Sequence, residues 1–146
     1  MTENKDIEAK DILSKFKITK KLGYATIYRH KSRNIVMVKY SNSSVIDIAN
    51  AVEISKNSQL AADLNRPVFA LTVPGQFSEM TSEAREFFGK DHFNQIVIQA
   101  TAIIIKDLTH RITFNLYLKF NKPISPIIAF KSIPEAYNWL IDKGAK

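Results

Sequence analysis

The chain has 146 residues, 45% of them apolar, which suits one domain with a sizeable core. It has no cysteine, which excludes disulfides, thiolate metal ligands and a cysteine nucleophile. The net charge of +7 raises the question of a nucleic-acid partner. No apolar run approaches the roughly 20 residues of a membrane span. The charged N-terminus lacks the apolar core of a signal peptide, so we expect a cytoplasmic protein.

Residues 1–22 are interpreted as an N-terminal extension that is a short helix or partly disordered. A basic cluster begins in this segment and contains no acidic residue. Its members are Lys15, Lys17, Lys20, Lys21, Arg29, Lys31, Arg33 and Lys39. A phosphate-binding face is one interpretation of the cluster, and a solvated tail and hairpin is the other. No nucleic-acid module pattern accompanies the charge, so we favour the second and do not expect nucleic acid as a partner.

The first half of the remaining chain predicts strands around one helix. Residues 24–40 are rich in β-branched and aromatic side chains and predict two strands joined by a turn. Residues 45–64 predict a helix that begins at Ser44 as N-cap. Its expected buried stripe consists of Val45, Ile48, Ala49 and Val52. After Pro67, residues 68–73 predict a buried strand.

The second half alternates helices and strands. A helix is predicted from Thr81, as N-cap, to Gly89, as stop, followed by a strand over residues 97–105. Residues 127–130 predict a short strand. The last helix starts at Ser132, which has capping-box spacing to Glu135. This order predicts a single α/β domain with a largely parallel sheet.

Residues 108–121 are ambiguous from periodicity alone. Alternating apolar residues favour a strand: Ile112, Phe114, Leu116, Leu118 and Phe120. A helix would instead place Leu108, Ile112 and Leu116 on one stripe.

Several segments together resemble the SpoIIAA-like or STAS-like domains of small bacterial proteins. The matching pieces are Pro67-Val68, residues 80–88, residues 115–123 with Pro126 and Phe130, and residues 135–140. The resemblance implies a domain over residues 23–146, with a mixed, mostly parallel sheet of about five strands flanked by helices. It also implies a helix over residues 108–120 and no enzymatic role.

A helix over residues 108–120 carries many large side chains, which favours burial against a second subunit or around an apolar pocket. The residues expected there are Ile112, Leu116, Tyr117 and Phe120. We therefore expect a non-enzymatic regulatory or protein-interaction module, working as a homodimer or with another protein partner. A carrier of a small molecule or lipid is the alternative, and a nucleic-acid-associated protein is a further one.

The resemblance also draws attention to Ser82. In STAS-like anti-sigma-factor antagonists, a serine at the start of the corresponding helix is phosphorylated, and Ser82 matches that position, with Thr81 before it. A phosphate there would be stabilised by the helix N-terminus. The family pattern has an aspartate before the serine and small residues with a glycine after it. Here Thr81, Glu83 and Ala84 depart from that pattern.

No constellation of catalytic or metal-binding residues is evident. The three histidines, His30, His92 and His110, are far apart in sequence and lack ligand-type partners at helical spacing. The four glycines are isolated, so no loop of the kind that cradles phosphates is present. We therefore expect no metal, no cofactor and no enzymatic activity.

Overall fold

Six strands form one mixed sheet in a computed structural model that describes residues 2–146, with side chains from residue 8 onwards. The strands are β1 (Phe16–Lys21), β2 (Ala25–His30), β3 (Ile35–Tyr40), β4 (Val45–Ile46), β5 (Val68–Val73), β6 (Glu79–Met80), β7 (Ile98–Ile104) and β8 (Ile127–Phe130). The helices are α1 (Thr2–Ser14), α2 (Ile48–Ala61), α3 (Ser82–Lys90), α4 (Leu108–Phe120) and α5 (Ile133–Asp142), with a π-helical turn at Phe93–Val97.

The order in the large sheet is β1-β2-β3-β5-β7-β8. The first three strands are antiparallel neighbours, whereas β3, β5, β7 and β8 run parallel. Strands β4 and β6 form a separate parallel pair. The prediction of a mixed, mostly parallel sheet flanked by helices is confirmed, with six strands in place of about five.

The two faces of the sheet are packed differently. One face lies against α1 and α5 and holds a dense cluster in which Met37, Leu71 and Ala102 meet Tyr137 and Leu140. The other face carries α2 over β2 and β3, where Ile27, Val36 and Ala61 pack together. Farther along this second face, α3, the π-helical turn and α4 enclose a cavity over the central strands.

The segment interpreted as an extension contributes to the large sheet. Strand β1 pairs with β2 along its length, with one bulge at Thr19, and Phe16 is buried beside His30. The preceding helix α1 places Ile12 in the same core cluster. The sequence pattern predicts no strand before residue 24, because only Phe16 of this six-residue strand is buried.

The prediction for residues 45–64 was wrong in the N-cap and in the buried face of helix α2. Asp47, and not Ser44, is the N-cap, with a reciprocal capping box to Asn50. Val45 lies in β4, before the helix. The stripe expected to be buried faces solvent, with Ile48 and Val52 about half exposed. The buried positions are instead occupied by one isoleucine and four small residues, namely Ile54, Ala51, Ser55, Ser58 and Ala61.

Helix α4 forms where alternation alone favoured a strand. Strands β7 and β8 are parallel neighbours, so the chain must cross over between them, and a hairpin cannot make that connection. Asp107 caps the helix by accepting a hydrogen bond from the His110 N–H at 2.7 Å. Of the α4 residues, only Phe114 is buried.

Candidate functional site

A cavity of about 450 Å³ lies between the sheet and α4. Its floor is formed by strands β5 and β7, which contribute Ala70, Thr72, Thr101 and Ile103. The walls come from α2, α3, the π-helical turn and α4. Although the floor residues belong to central strands, Ala70, Thr72 and Thr101 are only partly buried, because the cavity admits solvent.

The cavity exists because the two faces of the central strands differ in side-chain size. On the face packed by α5, β5 contributes Phe69 and Leu71. On the cavity face, the intervening positions of the same strand are Ala70 and Thr72. Small side chains on the floor, with only Phe114 of α4 buried above it, leave the space unfilled.

Aromatic and aliphatic side chains form most of the wall. Phe88 of α3, Phe93 of the π-helical turn and Phe114 of α4 line it. A polar side chain of the π-helical turn links this element to both α3 and α4. The Gln95 side chain donates from Nε2 to the Tyr117 hydroxyl at 3.1 Å and to the Phe88 carbonyl at 3.2 Å. Burial raises the pKa of Tyr117, so its hydroxyl is protonated.

Charged and titratable side chains gather at one end of the cavity, around residues 78–80. Glu79, Arg85 and His110 line this end. The Arg85 guanidinium donates to the Met80 carbonyl at 2.6 Å. His110 places Nε2 at 2.8 Å from the Ser78 carbonyl and Nδ1 at 3.1 Å from the Asp107 carboxylate. These contacts attach the start of α4 to the segment before β6.

Six residues with hydroxyl groups line the cavity and have no side-chain hydrogen-bond partner among the described residues. They are Tyr40, Ser58, Thr72, Thr101, Thr109 and Thr113. Tyr40 is 8% exposed and Ser58 is 5% exposed. Burial raises the pKa of Tyr40 well above its ordinary value, so its hydroxyl is neutral.

The structure separates the four residues expected at an interface or pocket. Tyr117 lines the cavity. Ile112, Leu116 and Phe120 lie on the opposite side of α4, where they are 44–75% exposed. With Leu108, which is 74% exposed, they form a row at four-residue spacing. We call Leu108, Ile112, Leu116 and Phe120 the outer stripe.

The candidate phosphorylation site lies at the start of α3, next to the cavity end that contains Met80. The Thr81 hydroxyl caps the helix by accepting from the Ala84 N–H at 3.2 Å. Ser82 is exposed, and its hydroxyl points to the Glu83 carboxylate at 3.4 Å. Neither residue lines the cavity.

The structure distributes the basic cluster over both faces of one sheet edge. The register pairs Lys17 with Arg29 on one face of β1 and β2. It places Lys21 and Lys39 opposite Thr26 on the other face. In the turn after β2, Lys31 is exposed, while Arg33 donates to the Ala145 carbonyl at 2.7 Å. Lys15 forms an exposed ion pair with Asp11, and Lys20 is also exposed.

The histidines lie in separate environments. His30 is buried between Phe16 and Tyr137, His92 is exposed, and His110 lies at the cavity end. Among the side chains that the structure describes, those of residues 8–146, no group of three or more histidines, aspartates or glutamates is placed to hold a metal ion. No helix within residues 2–146 is long and apolar enough to cross a membrane.

Sequence reasoning missed most of the cavity residues. Tyr40, Ser58 and Gln95 have ordinary roles in a strand, a helix and a loop when they are considered one at a time. A usable signal was present in the strand sequences, since Ala70, Thr72 and Thr101 put small or hydroxyl side chains into otherwise large apolar runs. Such positions on a central strand indicate space above the sheet.

Comparisons with known proteins support the fold. The chain is similar to the crystal structure of an uncharacterised DUF3478-family protein with a SpoIIAA-like fold from Shewanella loihica PV-4, with a TM-score of 0.53 and 12% identity. The match covers 86% of this chain and 91% of the other. No curated protein matches the sequence. A family model described as a domain of unknown function, DUF7793, matches residues 28–143. The chain, which has a SpoIIAA-like fold, therefore belongs to the DUF7793 family.

Proposed function

We propose that this chain is a non-enzymatic module of STAS-like type that binds a small, mainly apolar molecule between the sheet and α4. The observation that carries the proposal is the cavity of about 450 Å³ over the small-residue floor. Ligand pockets in proteins commonly measure about 300–1000 Å³ and combine apolar walls with a few polar groups. This cavity has that composition.

A fluorescence titration with the neutral apolar dye N-phenyl-1-naphthylamine tests the proposal. We expect saturable binding by the wild-type chain and at least about a tenfold loss of affinity in Ala70→Leu, which fills the floor. Ala49→Leu adds the same volume at an exposed position of α2 and should bind like the wild type. Folded wild-type protein that does not bind the dye, or equal binding by Ala70→Leu, contradicts the proposal.

The outer stripe favours a second role, association of two copies through α4. Four large apolar side chains in one row expose a surface that monomeric proteins usually cover. In an antiparallel pair of α4 helices related by a twofold axis, Leu108 would face Phe120 and Ile112 would face Leu116. The same arrangement would bring Asp107 at the start of one helix near Lys119 at the end of the other.

Light scattering coupled to size-exclusion chromatography tests this association. We expect a dimeric wild-type chain and a monomeric Ile112→Glu variant, because a charge in the centre of the stripe would be buried without a partner. Ile48→Glu is the matched control, since Ile48 lies on α2 and is 50% exposed, compared with 52% for Ile112. A monomeric wild-type chain at tens of micromolar contradicts the role.

Phosphorylation of Ser82 is a proposal from the family resemblance, supported by the exposure of that residue at the start of α3. A phosphate there would be stabilised by the helix N-terminus and repelled by the Glu83 carboxylate. Intact-mass measurement on chain purified from its native cells tests it. An unmodified chain in every growth state contradicts the proposal.

A further inference from the structure

We infer that the cavity takes a neutral molecule that carries hydroxyl or carbonyl oxygens on a compact apolar frame. The inference rests on the proposed binding function and adds the chemical class of the ligand. It derives from the unpaired hydroxyls of the cavity lining, in particular those of Tyr40, Ser58, Thr72 and Thr101 on the sheet and α2.

Other buried polar side chains near the cavity have partners within the chain. The Ser55 hydroxyl donates to the Asp91 carboxylate at 2.6 Å, and the Ser78 hydroxyl donates to the Gly75 carbonyl at 2.8 Å. Every fully enclosed side-chain polar atom among the described residues has a partner. The unpaired hydroxyls of Tyr40 and Ser58 are therefore not fully enclosed, although both residues are more than nine-tenths buried, and the cavity that these residues line is the space adjacent to them.

A hydroxyl in such a position needs a partner from outside the chain. Burying it without a hydrogen bond costs about 1–3 kcal/mol, and buried polar groups in proteins are nearly always paired. A purely hydrocarbon ligand would displace water and leave these hydroxyls unpaired. A ligand with its own oxygens would satisfy them, which favours that class over a hydrocarbon of equal size.

The distribution of the hydroxyls argues for several oxygens on one frame. Thr72 and Thr101 lie on neighbouring strands of the floor, Ser58 lies on α2, and Tyr40 ends β3. They therefore approach the cavity from four elements, namely three strands and one helix. A single polar head on a long apolar tail would pair with one group of neighbours and leave the others facing the tail.

The charges at the cavity end argue for a neutral ligand. Glu79 and Arg85 carry opposite charges and line the same end, and Arg85 already donates to the Met80 carbonyl. No excess of positive charge is therefore available to offset the cost of burying a carboxylate. The unpaired hydroxyls themselves are neutral groups, which match neutral oxygens.

Calorimetric titrations at pH 7 with three probes of one shape test the inference: naphthalene, 2,7-dihydroxynaphthalene and 2-naphthoate. We expect Thr101→Val and Tyr40→Phe, which delete a hydroxyl and keep the side-chain shape, to weaken binding of the diol about 3- to 10-fold each. Naphthalene affinity should stay within about twofold. Ser82→Ala removes an exposed hydroxyl outside the cavity and should leave the affinity of both probes unchanged.

The outcomes separate the ligand class from the binding function. Selective weakening of the diol in either folded variant supports the inference, and circular dichroism identifies which variants are folded. Equal effects on naphthalene and the diol, or tightest binding of 2-naphthoate, overturn the ligand class and leave the binding function standing. If no probe binds and the dye titration also fails, both proposals are overturned.

Discussion

The side chain of Asn34 hydrogen-bonds the backbone of Asp63 in both directions. Its Oδ1 accepts from the Asp63 N–H at 2.9 Å, and its Nδ2 donates to the Asp63 carbonyl at 2.8 Å. The same Nδ2 lies 2.9 Å from the Pro67 carbonyl. Asn34 is 1% exposed and immediately precedes β3, so it ties that strand to the loop that leads into β5.

Replacing Asn34 by alanine should lower the free energy of unfolding by about 3 kcal/mol, because the Asp63 N–H and the carbonyls of the loop lose their partner. Urea denaturation measures the change. Asn57→Ala is the control, since its Nδ2 donates to the Glu53 carbonyl at an exposed site. The control should stay within about 0.5 kcal/mol of the wild type. A similar loss in both variants contradicts the assignment.

The buried His30 should make the protein less stable in mild acid. Its Nδ1 accepts from the Ser32 and Arg33 N–H groups at 3.1 and 3.0 Å, so that nitrogen cannot carry a proton. Burial lowers the pKa of His30, with further lowering by the charges of Arg33 and Lys15. In the unfolded chain, histidine binds its proton below about pH 6.5. Stability is therefore complete above that pH and is lost as the pH falls towards the lowered folded pKa.

Thermal denaturation between pH 7.5 and 5.5 measures this loss. His30→Asn keeps an acceptor for the two N–H groups and removes the titrating ring, so its melting temperature should depend less on pH than that of the wild type. His92→Asn alters an exposed histidine and should keep the wild-type pH dependence. Parallel curves for the wild type and His30→Asn would show that His30 is not the responsible group.

The effect of Gly89→Ala on the free energy of unfolding should change sign when Asn121 is replaced. A Cβ at Gly89, inside α3, would overlap the Asn121 side chain at the end of α4. Gly89→Ala should therefore destabilise the wild type. In an Asn121→Gly background the same substitution should stabilise by about 0.8–1 kcal/mol, the ordinary helix gain of alanine over glycine. A chemical-denaturation cycle of the four chains measures the reversal, and equal effects in both backgrounds would contradict the contact.

At the start of α3, alanine substitution should lower stability more at the N-cap Thr81 than at its neighbour Ser82. Thr81→Ala removes the hydroxyl that accepts from the Ala84 N–H and should cost about 1 kcal/mol of stability. Ser82→Ala, at an exposed position, should change stability by less than about 0.5 kcal/mol. The midpoints of urea denaturation compare the two variants. A larger loss of stability for Ser82→Ala would contradict the assignment of Thr81 as the N-cap.

Patterns along the chain were sufficient to predict the strands at residues 25–40 and 68–73 and the final helix, because strong turn and cap residues bound them. The patterns did not predict which face of α2 is buried. Ile48 and Val52 are the more apolar choice for a buried stripe, but Ser55 and Ser58 occupy it beside the cavity. Tertiary structure determines which face is buried, because the buried face of α2 borders a solvent-accessible cavity, where serine hydroxyls are tolerated.

The sequence predicted one helix of the candidate site and, among the lining residues discussed above, only Tyr117. The resemblance drew attention to the segment that forms α4, and the structure places Tyr117 of that helix in the wall. The floor and the unpaired hydroxyls depend on how β5 and β7 align across the sheet, with Ala70 beside Thr101. Long-range register of that kind leaves no local periodicity in the sequence.

Strand β1 has a consequence for how copies of this protein can meet. A free strand edge is a template for pairing with other chains, and lysines and bulges are the usual protection against it. Here Lys17, Lys20 and Lys21 line the outermost strand, and the bulge at Thr19 breaks its register. The lysines and the bulge therefore disfavour the addition of a strand from another copy at this edge. Part of the positive charge of the chain thus protects its solubility.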